Sequence, residues 1–119
     1  MKPSSAKAKG RTWQQEVRDK ILSVFDTLEF DDVKSTSMGA GGEDVQLSPA
    51  ARKLLPIQIE CKRTKTLKTV YGWVEQAKTH GKHEPVVFVR ADRESGLAIC
   101  NIDHYFELQK KAGDNNGKP

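Results

Sequence analysis

The sequence predicts an α/β protein with a mixed central β-sheet flanked by helices, in the order α-β-β-β-α-β-β-α. Two patterns carry this prediction. Apolar residues recur at helical spacing over residues 13–28 and 69–80, and the remaining apolar segments alternate or form short runs typical of strands. The composition of the 119 residues, with 36% hydrophobic and 30% charged side chains, is typical of one soluble domain with a single core.

Three helices are predicted from their apolar spacing and their end signals. The first starts at Thr12, because Thr12 and Gln15 have the spacing of a capping box. The second ends near Gly81, a residue type that commonly terminates helices. Asp103 is a suitable N-cap for the third helix.

Five strands are predicted between and after the first two helices. The third has the clearest pattern, because apolar and polar residues alternate along "PIQIECKR". The segment "SPAARKLLP" connects the second and third strands and is long for a hairpin. The predicted strands cover residues 30–35, 43–47, 57–62, 85–90 and 97–102.

Charge and composition divide the chain into a flexible basic arm over residues 1–11, a domain over 12–112 and a flexible tail over 113–119. The net charge of +4 and the pI near 9.1 favour a polyanionic partner. The sequence contains no apolar stretch of bilayer length and no signal peptide. We therefore expect a cytoplasmic protein, or one in the host cytoplasm if the source is viral, that does not bind membranes.

A charged face is predicted where the second and third strands meet. Asp44 and Gln46 share one face of the second strand, and Glu60 and Lys62 share one face of the third. If these strands pair antiparallel with their apolar sides aligned, Asp44 lies opposite or diagonal to Glu60. Two carboxylates at that distance favour a hard cation such as Mg²⁺ or Mn²⁺ between them, completed by the Cys61 carbonyl. A salt-bridged surface strand is the alternative.

These charged residues also carry a resemblance to a known family. Glu16 on the first helix, then Asp44, then Glu60-Cys61-Lys62 resembles the E…D…ExK signature of the PD-(D/E)XK nuclease superfamily. The basic arm, the compact size and the order of elements most resemble the Holliday junction resolvases of archaea and their phage relatives. The resemblance covers about residues 10 to 108 and implies a restriction-endonuclease-like fold.

The resemblance implies a role for each charged residue. Asp44 and Glu60 would ligate Mg²⁺, with Mn²⁺ as the alternative, and Glu16 would join them directly or through a water. Lys62 would orient the attacking water or stabilise the charge of the transition state. A glutamate early in a helix also stabilises the helix dipole, which is the alternative for Glu16. Glu43 is not expected to be a ligand, because its side chain would point to the apolar side of its strand.

Basic and polar residues around this face are expected to bind DNA. Ser35 lies where these resolvases carry a functional loop serine, and Ser37 is the less favoured occupant of that role. Gln76 resembles a glutamine near the active site in several branches of the superfamily, with ordinary exposed helix surface as its alternative. The predicted DNA-binding residues are Lys7, Lys9, Arg11, Ser35, Ser37, Arg63, Lys65, Lys68 and Gln76.

The sequence thus predicts a metal-dependent DNA endonuclease, and in particular a Holliday junction resolvase. Two nicks on opposed strands are needed to resolve a four-way junction, so a homodimer with two equivalent sites is expected. The first alternative is another structure-specific or repair nuclease of the same superfamily. The second is a nucleic-acid-binding module without catalysis.

Overall fold

The computed structural model describes residues 3–36 and 42–116, with side chains for residues 7–36 and 42–114. Within these ranges the chain is a mixed α/β protein, as predicted. The described part of the chain forms four α-helices, one 3₁₀ turn and four short strands. These are α1 (Pro3–Val24), the 3₁₀ turn (Phe30–Asp32), β1 (Val33–Ser35), β2 (Val45–Leu47), α2 (Pro49–Leu54), α3 (Lys68–Lys78), β3 (Val86–Val89), β4 (Leu97–Cys100) and α4 (Ile102–Asn116).

The chain divides into two compact units. The first contains α1, β1, β2, α2 and the segment up to Arg63, together with the part of α4 from Gln109 onward. The second runs from Thr64 to Leu108 and contains α3, β3, β4 and the start of α4. The domain predicted over residues 12–112 therefore falls across both units.

The core of the first unit is formed where α1 packs against the β1–β2 pair. Val17, Ile21 and Phe25 follow one another at intervals of one helical turn and are buried. The strands contribute Val33 and Val45, both fully buried. The apolar spacing of the first helix therefore does pack one stripe into a core, as the sequence pattern predicts.

β1 and β2 pair antiparallel, with Val33 opposite Leu47 and Ser35 opposite Val45. Val45 is buried while Gln46 is exposed, so side chains alternate between the two faces of β2. Asp44 precedes β2 directly. The predicted alternation, with Val45 on the apolar face and Gln46 on the polar face, is thus observed.

The predicted strand over residues 57–62 is wrong in its extent. Among the described residues, this segment makes one isolated antiparallel bridge, between Val45 and Ile59. The ladder does not continue past Ile59. The N–H of Cys61, two residues further along, donates to the carboxylate of Asp44 instead of a main-chain carbonyl. At the other end of the segment, the Ile57 N–H donates to the Leu55 carbonyl at 2.9 Å and is likewise not used by a ladder.

The single mixed sheet is therefore not formed by the described strands, which make two separate two-stranded antiparallel sheets, β1–β2 and β3–β4. The connection "SPAARKLLP" is not an irregular loop, because it contains α2. Ser48 caps α2 by accepting a hydrogen bond from the Ala51 N–H at 3.1 Å, and Pro49 occupies the first turn, where no N–H is required.

The predicted flexible arm is helical from Pro3, so the expectation for residues 3–11 is wrong. Thr12 is not the N-cap: its hydroxyl lies inside α1 and donates to the Ala8 carbonyl at 2.9 Å. Alternating alanine and lysine before Thr12 have high helix propensity, which allows the helix to extend. At the other end, α4 continues to Asn116, beyond the predicted boundary at 112, and the rest of the predicted tail lies outside the described residues.

In the second unit, α3 packs against β3, and β3 pairs antiparallel with β4. The helix predicted over residues 69–80 is observed as Lys68–Lys78. The two strands are joined by a turn in which Arg93 has a φ of 67°. Among the helices that the structure describes, none has the length and the apolar character that crossing a bilayer requires.

Candidate functional site

Asp44 lies beside the Glu60-Cys61-Lys62 segment and is held there by two hydrogen bonds. Its backbone N–H donates to the Ile59 carbonyl at 3.1 Å. Its carboxylate Oδ2 accepts from the Cys61 N–H at 2.6 Å. The structure therefore brings together the aspartate and the Glu-x-Lys segment that the sequence pattern pairs.

An open groove of about 400 Å³ lies along these two segments. It is lined by Gly42, Glu43, Gln58, Ile59 and Glu60. Every one of these residues belongs to the first compact unit. The acidic residues that line this groove are Glu43 and Glu60, and Asp44 is not one of its lining residues.

Glu60 and Lys62 are both exposed at the edge of this site. Their side chains retain 64% and 79% of their accessible surface and form an ion pair of 3.3 Å between Oε2 and Nζ. An exposed pair of this kind contributes little to stability. Lys62 can therefore exchange its partner for another anion at little cost.

The pKa of the Cys61 thiol depends on its burial and on the charges of the neighbouring acids. Burial, together with the negative charges of Asp44 and Glu60, raises the pKa of Cys61 to about 11. Burial is the larger cause, and both carboxylates lie close enough to this thiol to add to it. A negative potential of this kind attracts a cation.

Gln14 is a site residue that the sequence pattern did not single out. Its side chain is buried, with 4% exposed, and its Nε2 donates to the Asp44 carbonyl at 2.8 Å. The same carbonyl accepts from the Thr36 N–H at 3.0 Å. A signal was available, because Gln14 precedes Val17 and Ile21 at helical spacing and is thus a polar residue on the apolar stripe.

Glu16 is not brought to Asp44. Glu16 is exposed. It lies two residues after Gln14, so its side chain points about 200° around the helix from that of Gln14, which donates to the Asp44 carbonyl. Within residues 3–36 and 42–116, no group of three or more His, Cys, Asp or Glu side chains is arranged to hold a metal ion. Of the predicted ligands, Asp44 contacts the Glu60-Cys61-Lys62 segment, through the N–H of Cys61.

Glu43 is held away from the ligand role by Arg52. The Arg52 Nη2 lies 3.0 and 3.2 Å from the two carboxylate oxygens of Glu43, and Nη1 donates to the Ile57 carbonyl. This pairing neutralises the charge of Glu43. Asp44 is accordingly the acid of this strand that remains for a cation.

The predicted DNA-binding residues lie on several elements. Lys7, Lys9 and Arg11 are exposed on α1, and Arg63 is exposed just after the Glu-x-Lys segment. Ser35 ends β1, opposite Val45, and is half-buried. Ser37 lies outside the described residues.

The remaining predicted contacts belong to the second unit. Lys65 and Lys68 are exposed, and Lys68 begins α3. Gln76 is exposed on α3 and lines a separate groove of about 370 Å³ with Trp73, His80 and the residues of β3.

Comparisons with protein-family models, with curated proteins and with solved structures found no match for this chain. The functional argument therefore depends on the residues and contacts described above.

Proposed function

We propose that this protein is a Mg²⁺-dependent endodeoxyribonuclease with a restriction-endonuclease-like fold that cleaves branched DNA as a Holliday junction resolvase in the cytoplasm. The observation that carries the proposal is the hydrogen bond between the Asp44 carboxylate and the Cys61 N–H. It links an aspartate to the backbone of a Glu-x-Lys segment, which is the arrangement expected from the E…D…ExK signature.

The residues present fit a magnesium ion. The Asp44 Oδ2 accepts from the N–H of Cys61, the residue that follows Glu60, and Glu60 itself lines the groove. Mg²⁺ is often bound by one or two carboxylates, with waters and substrate phosphates completing its shell. We assign Asp44, Glu60 and the Cys61 carbonyl as its ligands, with Mn²⁺ as the alternative metal. The bound ion would lower the pKa of a water and clamp the phosphate oxygens.

Lys62 is proposed to act on the scissile phosphate. Its exposed ion pair with Glu60 leaves the ammonium free enough to meet an incoming phosphate oxygen. A positive charge next to the reacting phosphate stabilises the charge that develops in the transition state. A non-catalytic binding module would have no use for two carboxylates on the face that meets phosphates.

Branched DNA is the proposed substrate, and a homodimer is the proposed form. Resolution of a four-way junction needs two nicks, and one 13.3 kDa chain carries one Asp44–Glu60 pair. A two-fold dimer supplies two equivalent sites. The exposed basic residues near this pair, Arg63 among them, would contact the DNA backbone.

The test compares a four-way junction with a linear duplex of matched sequence. Binding and cleavage are measured with Mg²⁺ and with EDTA, and the mass of the protein is measured by sedimentation with and without the junction. We expect a dimer that prefers the junction and nicks it only with metal. Metal-dependent cleavage without junction preference would identify a general repair nuclease, and junction binding without cleavage would identify a binding module.

A further inference from the structure

Arg52 connects the two chain segments that carry the acidic residues. Its guanidinium donates hydrogen bonds to both carboxylate oxygens of Glu43 through Nη2 and to the Ile57 carbonyl through Nη1. Glu43 immediately precedes Asp44, and Ile57 lies three residues before Glu60. One side chain thus spans from one acidic segment to the other.

α2, the helix that carries Arg52, is held in place by a capping hydrogen bond and by buried residues. Ser48 is the N-cap of this helix, and its hydroxyl accepts from the Ala51 N–H and donates to the Asp32 carboxylate at 2.7 Å. Ala51, which precedes Arg52, and Leu55, three residues after it, are fully buried. The position of the guanidinium is therefore set by the core of the first unit.

The contact from Arg52 to Ile57 adds to the two hydrogen bonds that already join Asp44 to Ile59 and Cys61 of this segment. The β-pairing of the segment to the described strands is the single bridge between Val45 and Ile59. A slip of one residue would turn Glu60 to the opposite face, since side chains of an extended chain alternate. A contact from Arg52 to the Ile57 carbonyl fixes the segment at its start.

We propose that Arg52 is a positioning residue that sets Glu60 in register with Asp44. Its importance for cleavage rests on the proposed nuclease function, whereas its effect on the geometry does not. The guanidinium acts through Glu43 and Ile57 and does not itself touch the proposed metal or phosphate. The connection "SPAARKLLP" thereby gains a role beyond joining two strands.

The experiment measures amide hydrogen exchange by NMR in the full-length protein and in the variants Arg52→Gln, Arg52→Lys and Lys53→Gln. The reporting amides are those of Asp44 and Cys61, which donate to Ile59 and Asp44. The amide of Ile21, in the core, reports global opening. Lys53 is the matched control, because it is exposed on the same helix and carries the same charge.

In Arg52→Gln, exchange at Asp44 and Cys61 should rise at least about tenfold, the change expected when a charge-assisted hydrogen bond is removed. Exchange at Ile21 should stay near the parental rate. Arg52→Lys should restore part of the protection, since lysine keeps the charge but not the two-pronged geometry. Lys53→Gln should behave as the parent.

Cleavage of the junction is followed in the same variants. We expect kcat to fall in Arg52→Gln while the Kd for DNA stays near the parental value. Parental exchange at Asp44 and Cys61 in Arg52→Gln would overturn the inference, as would an equal rise at Ile21 in both Arg52 variants. If the parent does not cleave but exchange responds as stated, the nuclease proposal fails and the positioning role stands.

Discussion

The carboxylate of Asp44 accepts a hydrogen bond of 2.6 Å from the backbone N–H of Cys61. This contact joins the acid that immediately precedes β2 to the middle of the Glu60-Cys61-Lys62 segment. It also accounts for the missing strand, because it occupies an N–H that a β-ladder would use. One interaction therefore both ends the regular pairing and builds the candidate site.

Removing the charge of either proposed metal ligand should abolish cleavage and preserve DNA binding. In Asp44→Asn, the side-chain oxygen can still accept from Cys61, so the fold should persist while metal affinity falls. Glu60 is exposed, so Glu60→Gln should not disturb the core. Cleavage of the junction with Mg²⁺ and DNA affinity with EDTA measure the two effects separately.

Asp26→Asn is the control for these variants, because Asp26 is an exposed acid elsewhere in the first unit. Its cleavage rate should equal that of the parent. An Asp44→Asn protein that nicks DNA at the parental rate would contradict the assignment of Asp44 as a metal ligand.

Replacing Gln14 should lower the free energy of unfolding more than replacing Glu16. Gln14→Ala leaves the Asp44 carbonyl without the 2.8 Å bond from the buried amide, and we expect a decrease of about 1–3 kcal/mol in the free energy of unfolding. Gln15→Ala and Glu16→Gln replace exposed side chains and should change it by less than about 0.5 kcal/mol. Urea unfolding followed by circular dichroism gives these values. A Glu16→Gln protein that folds normally but no longer cleaves would restore Glu16 to the site.

The helical form of the N-terminal segment separates its basic residues. Lys7 lies seven residues before Gln14 and Arg11 three, so both lie within about 60° of the side chain that reaches Asp44. Lys9 is about 140° away from it. Substitution of Lys7 and Arg11 by glutamine should weaken binding and flatten the plot of log K against log salt, by up to about 0.9 for each phosphate of the duplex arms that the variant no longer neutralises.

Lys9→Gln is the matched control, because it removes the same charge from the opposite side of the same helix. Fluorescence anisotropy with a labelled junction at several salt concentrations measures the slope for each protein. An equal effect of Lys9→Gln would indicate a diffuse electrostatic contribution without a preferred face.

Cys61 should resist alkylation until strongly alkaline pH. Its pKa of about 11 lies above the ordinary thiol value of 9.0, so the folded protein keeps the neutral thiol where an unfolded chain would ionise. The resulting contribution to stability is present below pH 9 and disappears as the pH rises towards 11. Asp44→Asn removes one of the charges that raise this pKa and should shift the alkylation profile to lower pH.

Iodoacetamide reaction rates in a Cys100→Ser background isolate the response of Cys61, because Cys100 is the other cysteine of the chain. Asp26→Asn serves again as the control and should leave the profile in place. An Asp44→Asn profile that coincides with the parental profile would show that the charge of Asp44 does not act on Cys61.

The sequence predicted the parts of the site that depend on strand parity. Alternation in "PIQIECKR" and around Val45 places polar side chains on one face whether or not a full ladder forms, because extended backbone alternates by geometry alone. The closeness of Asp44 to the Glu60 segment followed from the same rule. The position of Glu16 did not follow, because residues near the margin of a helical stripe turn by about 100° with each step and are easily assigned to the wrong side.

The sequence by itself determined the mixed α/β class, the buried stripe of α1 and the acidic and basic residue types available for a site. These depend on local periodicity and on burial, which each segment carries in its own residues. The tertiary structure alone decided that Gln14, rather than Glu16, reaches Asp44, and that Arg52 joins Glu43 to Ile57. Such contacts join residues from separate elements, and their partners are fixed when a common core orients those elements, which local periodicity does not specify.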